Sequence, residues 1–198
     1  MAYLQQNEIE LYAEQVSKNG NPYCGDSYFY TSTSDYFICV LADGLGSGKF
    51  AYESSHVVVE IVEEHHHEDV ETLMTLCNEA LQKKRGAAVA IIKAYYHSKE
   101  FVYSCVGNIR FYMYAPEGKM TYPLPVTGYL SGRPQTYKTQ RFHYDSNSRF
   151  LIHSDGLSIS GVKNILQRYP TLHGALGDIQ SLVDGTSDDT TYIIGNLL

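Results

Sequence analysis

Positive charge is scarce in this chain. Fifteen Lys and Arg stand against 22 Asp and Glu, a formal net charge of −7. That leaves no electrostatic ground for binding nucleic acid or an anionic membrane. The nearest thing to a basic cluster, Lys83-Lys84-Arg85, reads as a solvated helix end, where cations suit the dipole. Long apolar runs are also missing: none approaches the ~20 residues of a membrane span. The N-terminus MAYLQQNEIE has neither the charged region nor the apolar core of a signal peptide. Cysteine pairing is missing too. Cys24, Cys39, Cys77 and Cys105 form no CxxC motif and have no His at zinc-finger spacing, as expected for reduced thiols in a cytoplasmic protein. Tryptophan is absent while tyrosine occurs 18 times, and most of these rings belong on strands, half exposed. With no repeat, low-complexity tract or linker, a single domain spanning residues 1–198 is expected.

What is present is enough for a core: 43% of residues are hydrophobic and 19% charged, a globular balance. Strands are expected at 9–17, 27–32 and 36–42. A helix follows with Phe50, Val57, Val58, Ile61 and Val62 on one stripe. Asp69 should cap a second helix with Val70, Leu73, Cys77, Ala80 and Leu81 inward, closed by Gly86. Strands follow at 87–96, 100–106, 110–114, 120–124, 137–144 and 150–153, with a Pro-rich loop over 123–134. Two short helices are expected at 162–168 and 172–183, then a strand at 190–197. Successive strands joined by tight turns imply antiparallel sheets whose faces the helices must cover. The expected fold is α+β: two sheets stacked as a sandwich, flanked by helices.

Four aspartates stand at the mouths of these strands: Asp26 in CGDSYFY, Asp43 in FICVLADGLGSG, Asp155 in FLIHSDGL and Asp188 in DDTTYIIG. One such Asp is ordinary turn chemistry; four suggest carboxylates gathered around hard cations. Mg²⁺ and Mn²⁺ prefer oxygen ligands, keep several waters and can turn one into a nucleophile. Asp43 is the natural bridge, and the Gly44 carbonyl is a reasonable further ligand. By residues alone, this reaches metal-assisted phosphate chemistry. His65-His66-His67 is read as a solvated helix end, since adjacent helical residues point in different directions. His153 should face the sheet interior with a hydrogen-bond partner. Asp145 and Asp184 read as turn residues.

The order GDS, ADGLGSG, RGAAVAIIKA, CVGNIRFYMY, HSDGL and DDTTYIIG resembles the metal-dependent protein phosphatases of type 2C, nearest the bacterial SpoIIE-like branch and its small stressosome phosphatases. The motifs span Gly25 to Gly195. The resemblance implies a four-layer α-β-β-α sandwich holding two Mn²⁺ (or Mg²⁺) at one edge. It makes Asp43 the catalytic bridge between the ions and Gly44 a carbonyl ligand. Asp155 and Asp188 would bind the other metal, with Asp189 the rival for Asp188, and Asp26 would serve the Gly44-side metal. Water activated between the ions would attack the phosphoester, with no phosphoenzyme.

Three departures from that pattern stand out. Gly25 occupies a position that is often acidic, Asn21 lies near the place of a phosphate-binding Arg, and Asn108 replaces the Asp of VGDxR, so two metals rather than three are expected. The implied substrates are phosphorylated stressosome proteins, an antagonist and its co-antagonist scaffold, met by a monomer; Arg133, Lys138, Tyr129, Tyr137 and Tyr144 are candidates to touch them. The alternative is a catalytically inactive binding module masking a stress-signalling partner.

Overall fold

The computed structural model describes every residue except 184 and 186, so the turn expected at Asp184 lies outside the described residues. Two antiparallel sheets stack face to face. The first contains β1 (Ala2–Gln6), β2 (Ile9–Val16), β7 (Arg110–Tyr114), β8 (Met120–Thr121), β10 (Ser148–His153) and β11 (Thr190–Leu197), in the order β1-β2-β11-β10-β7-β8. The second contains β3 (Asp26–Ser32), β4 (Tyr36–Gly44), β5 (Ala87–Tyr95), β6 (Glu100–Val106) and β9 (Gln140–His143), in the order β3-β4-β5-β6-β9. Helices α1 (Lys49–His65) and α2 (Val70–Ala80) cover the outer face of the five-stranded sheet. Helices α3 (Val162–Arg168) and α4 (Leu172–Gln180) cover that of the six-stranded sheet. The result is the expected α-β-β-α sandwich.

Strand alternation builds three cores from one pattern. In β4, Phe37, Cys39 and Leu41 point between the sheets, whereas Ile38, Val40 and Ala42 point at α1 and α2. In β10, Phe150 and Ile152 point inward and Leu151 outward to α3 and α4. These strands are apolar throughout because both faces are covered. Asp69 caps α2 as expected, accepting the Thr72 backbone N–H at 2.9 Å, a contact worth about 1 kcal/mol.

Several expected boundaries shift. Helix α2 ends at Ala80, with Leu81 as its C-cap. Gly86 therefore does not close it. Gly86 instead has φ +105° at the entry to β5, where a Cβ would lie 2.6 Å from the Leu130 carbonyl oxygen. Lys83-Lys84-Arg85 consequently lie on a connector rather than in the last helical turn. The strand expected at 137–144 is only Gln140–His143. Tyr144 is buried in the inter-sheet core, which removes it from the candidates for partner contact. Strand β1 was not expected: AYLQQ is exposed on alternate residues and carries too few apolar groups to announce itself. Among the described residues, no helix is long and apolar enough to cross a membrane.

Candidate metal centre

The same alternation that builds the inter-sheet core delivers the carboxylates. Asp43 continues the inward row Phe37, Cys39, Leu41. The register of β3 on β4 sets Asp26 directly opposite it, and Tyr28 and Tyr30 share the inner face with Asp26. Like charges directly opposite on an antiparallel pair destabilise it. On the other sheet, Ser154 follows the inward pair Phe150 and Ile152, and Thr191 precedes Ile193. The two rows meet at the mouth. Ser154 Oγ donates to Asp26 Oδ2 at 2.6 Å and accepts from the Thr191 N–H at 2.9 Å. Gln15 Nε2 donates to the Asp26 carbonyl and to Thr191 Oγ1. Ser154, Thr191 and Gln15 thus hold Asp26 across the two sheets.

The charge at this mouth is poorly satisfied. Asp26 is 2% exposed, and its Oδ1 is buried with no hydrogen-bond partner. Burial and then the Asp43 charge push its carboxyl well above the usual range. Asp43 is pushed up to about 7 by burial and by Asp155, Asp188 and Asp189. Asp155 is raised by burial and by Asp188. Asp26, Asp43 and Asp155 are thus each made costlier to ionise by burial and by neighbouring carboxylates. A divalent cation is the group that relieves such a site, and the orphaned Asp26 oxygen and the oxygen-only donor set fit Mg²⁺ or Mn²⁺. Among the described residues, no three His, Cys, Asp or Glu side chains close around one point tightly enough to hold an ion.

Asp188 and Asp189 separate cleanly. Asp189 is buried and occupied: its Oδ1 accepts the Lys18 N–H and its Oδ2 the Gly25 N–H, both at 2.8 Å. Asp188 is half exposed, 3.9 Å from Lys18 Nζ, and its Oδ1 accepts the Asp189 N–H at 2.9 Å. The glycines of the two Asp-Gly turns are required by packing. A Cβ on Gly44 would stand 1.9 Å from the Ala51 carbonyl oxygen of α1, and one on Gly156 would stand 2.1 Å from the Asp189 carbonyl oxygen.

Residues 33–169 match the family described as Stage II sporulation protein E (SpoIIE). Over its whole length the chain is 40% identical to all of phosphoserine phosphatase RsbX from Bacillus subtilis (strain 168). This chain belongs to the SpoIIE family. A crystal structure of RsbX in complex with magnesium matches with a TM-score of 0.96 at 38% identity, covering 100% of this chain and 99% of that one. The PP2C phosphatase domain of SpoIIE from Bacillus subtilis shares the fold, with a TM-score of 0.79 at 13% identity over 98% of this chain and 63% of that one.

Within this SpoIIE-family chain the three departures acquire physical reasons. Gly25 leaves room for Asp189: a Cβ there would lie 2.8 Å from Asp189 Oδ2. Asn108 Nδ2 donates to Asp155 Oδ2 at 2.7 Å, so a neutral donor holds a carboxylate that an Asp would repel. Asn21 is exposed and spends its Oδ1 on the Tyr23 N–H. Lys18, Gln15, Ser154 and Thr191 were not singled out from sequence. Ser154 and Thr191 were legible in principle, as the next inward positions of two apolar strands. Lys18 and Gln15 carry no such signal. His153 has the expected hydrogen-bond partner, its Nδ1 lying 2.8 Å from the Ser154 carbonyl oxygen, but alternation turns it with Leu151 to the outer face of the sheet instead of the interior, where its ring stacks on Tyr112 and its Nε2 has no partner.

Proposed function

We propose that this chain is a metal-dependent phosphoserine phosphatase that dephosphorylates stressosome proteins, an RsbS-like antagonist and an RsbR-like co-antagonist, and so resets a general stress response. The observation that carries the reading is Asp26 set opposite Asp43 at one mouth, with one buried Asp26 oxygen unpartnered and Asp155 and Asp188 adding to the field on Asp43. Full-length similarity to RsbX, named a phosphoserine phosphatase and solved with magnesium, supports the activity and the cation class. The chain acts as one domain and as a monomer.

Two Mn²⁺ or Mg²⁺ fit this reading. Asp43, Asp26, Asp155, Asp188 and the Gly44 carbonyl are the groups that would hold them, with Asp43 as the shared ligand. When bound, such ions lower the pKa of water and offset charge on phosphoryl oxygens. The chain's own groups set the geometry: Ser154 fixes one oxygen of Asp26 and leaves the other free, Asn108 orients Asp155, and Asp189 clamps the Lys18 and Gly25 backbones beside the mouth. No observation favours the inactive binding module, since all four carboxylates are intact. The test is phosphate release from a phosphoserine-bearing stressosome antagonist, with Mn²⁺ or with EDTA, by wild type and Asp43→Asn. Release that requires both Mn²⁺ and Asp43 is expected. Release from neither protein, with metal shown to bind, would remove the substrate assignment.

A further inference from the structure

One stretch of this acidic chain's surface is cationic, and it adjoins the candidate metal centre. The register of β4 on β5 pairs Gly44 with Ala87, and Leu45 N–H donates to the Gly86 carbonyl at 3.0 Å. Lys83, Lys84 and Arg85, which run into β5, therefore lie along the loop that follows Asp43. The Arg85 guanidinium sits over the Phe50 ring, 4.9 Å from its centroid. It also approaches Gly46 so closely that a Cβ there would lie 2.7 Å from Nη1. Phe50, Glu53, Gln82, Lys83, Lys84 and Arg85 line one groove of about 570 Å³.

Three features of this groove are not explained by folding. Lys84 shares Glu53 with Lys49, but among the described residues Lys83 and Arg85 meet no carboxylate within 4.0 Å. Phe50 is 59% exposed, an aromatic ring held against a guanidinium instead of a core. Lys83 has φ +66°, a left-handed conformation in which glycine costs least. The connector thus keeps a cation at a position where backbone energy favours Gly.

We propose that this groove docks an acidic segment of the phosphoprotein substrate, flanking its phosphoserine. The inference rests on the phosphatase reading above. Charge decides the occupant: an acidic phosphorylated segment is repelled by most of a surface of net charge −7 and complemented only where unpaired cations gather. Reach sets the spacing. Gly46 is three residues beyond Asp43, at most about 11 Å along the chain, so a phosphoserine at the carboxylates puts side chains three to five residues away over the groove. Lys83 and Arg85 would meet the acids and Phe50 the apolar stems. Such exposed contacts act on encounter and KM and leave the chemical step alone.

The test uses three probes with Mn²⁺: a phosphoserine peptide with glutamates three to five residues from the phosphoserine, the same peptide with glutamines, and p-nitrophenyl phosphate. Wild type is expected to show a KM about fivefold lower for the glutamate peptide, a preference that shrinks as salt rises. Arg85→Glu should abolish or invert the preference, with p-nitrophenyl phosphate turnover unchanged. Lys83→Gly removes a cation while relaxing the backbone, so it keeps the fold and should weaken the preference. Equal KM for the two peptides in wild type would overturn the proposal. So would an equal loss by Arg85→Glu on ester and peptide, which would put Arg85 at the phosphate itself. If wild type hydrolyses none of the three, the phosphatase reading fails, and the docking groove with it.

Discussion

The two ends of the β4–β5 pair both bury charge, and they treat it in opposite ways. At one end, Lys93 pairs with Ile38 on the helix-facing side and is 2% exposed. Its ammonium donates to the backbone carbonyls of His66, His67 and Glu68 at 2.8, 3.1 and 2.7 Å and sits 4.0 Å from the Tyr36 ring centroid. All three N–H groups are used, so the charge locks the α1–α2 turn onto the sheet. At the other end, Asp43 and Asp26 face each other across two strands with Asp155 and Asp188 nearby, and one Asp26 oxygen has no partner. A buried charge whose bonds are complete is a structural clamp. One whose neighbours repel it carries a free-energy cost that a bound cation or a retained proton relieves.

The contrast can be broken most severely at Asp43. Asp43→Asn should lower kcat/KM on a phosphoserine substrate by about a hundredfold to a thousandfold, while raising the melting temperature of the metal-free protein, because one repelling charge is gone. A metal-free Asp43→Asn protein less stable than wild type would contradict the repulsion argument. Next in size is Lys93→Met. Leaving three carbonyls without their donor should cost about 3 kcal/mol in urea unfolding, with kcat on the folded fraction unchanged. A change in metal affinity in that variant would show that the two ends are coupled.

Smaller effects sharpen the comparison. Asn108→Ala releases Asp155 and should weaken metal binding about tenfold, measured by calorimetric titration with Mn²⁺. The smallest effect is pH. Asp43 is raised to about 7 from an unfolded value near 3.8, so between these values the folded metal-free protein keeps a proton that the unfolded chain has released. Its contribution to stability is complete below about pH 4 and is lost as pH rises through about 7. Metal-free denaturation midpoints should fall across that window, and Asp43→Asn should flatten the decline.

Most of the architecture was legible because its signals are local. Strand alternation, the α1 stripe and the Asp69 cap are each written in a few adjacent residues, and β5, β6, β7 and β11 fell close to their expected bounds. The shortfalls were β1, whose pattern is too polar, and the end of α2, where Gly86 looked like a closing glycine but serves a packing contact six residues beyond the helix. At the site, Asp26, Asp43, Asp155 and Asp188 stood out as carboxylates at strand mouths. The choice between Asp188 and Asp189 rested on the family motif; in the structure Asp189 is the buried one, tied to the Lys18 and Gly25 backbones, and Asp188 the half-exposed one. His65-His66-His67 read as a solvated helix end, and the backbone carbonyls of His66 and His67 accept from the buried Lys93, a contact that no side-chain motif reveals.

The sequence by itself determined which residues could face inward, because alternation in a strand follows directly from residue order. It also determined the acidic character of the mouth, since the four aspartates stand at the ends of apolar runs whatever the packing. Only the tertiary structure decided which of these groups meet. Asp26 opposite Asp43, Ser154 reaching Asp26, Asn108 holding Asp155 and Arg85 lying along the Gly46 loop are contacts between residues 17 to 128 positions apart. Register and sheet stacking set such distances, and both arise from packing the whole chain at once.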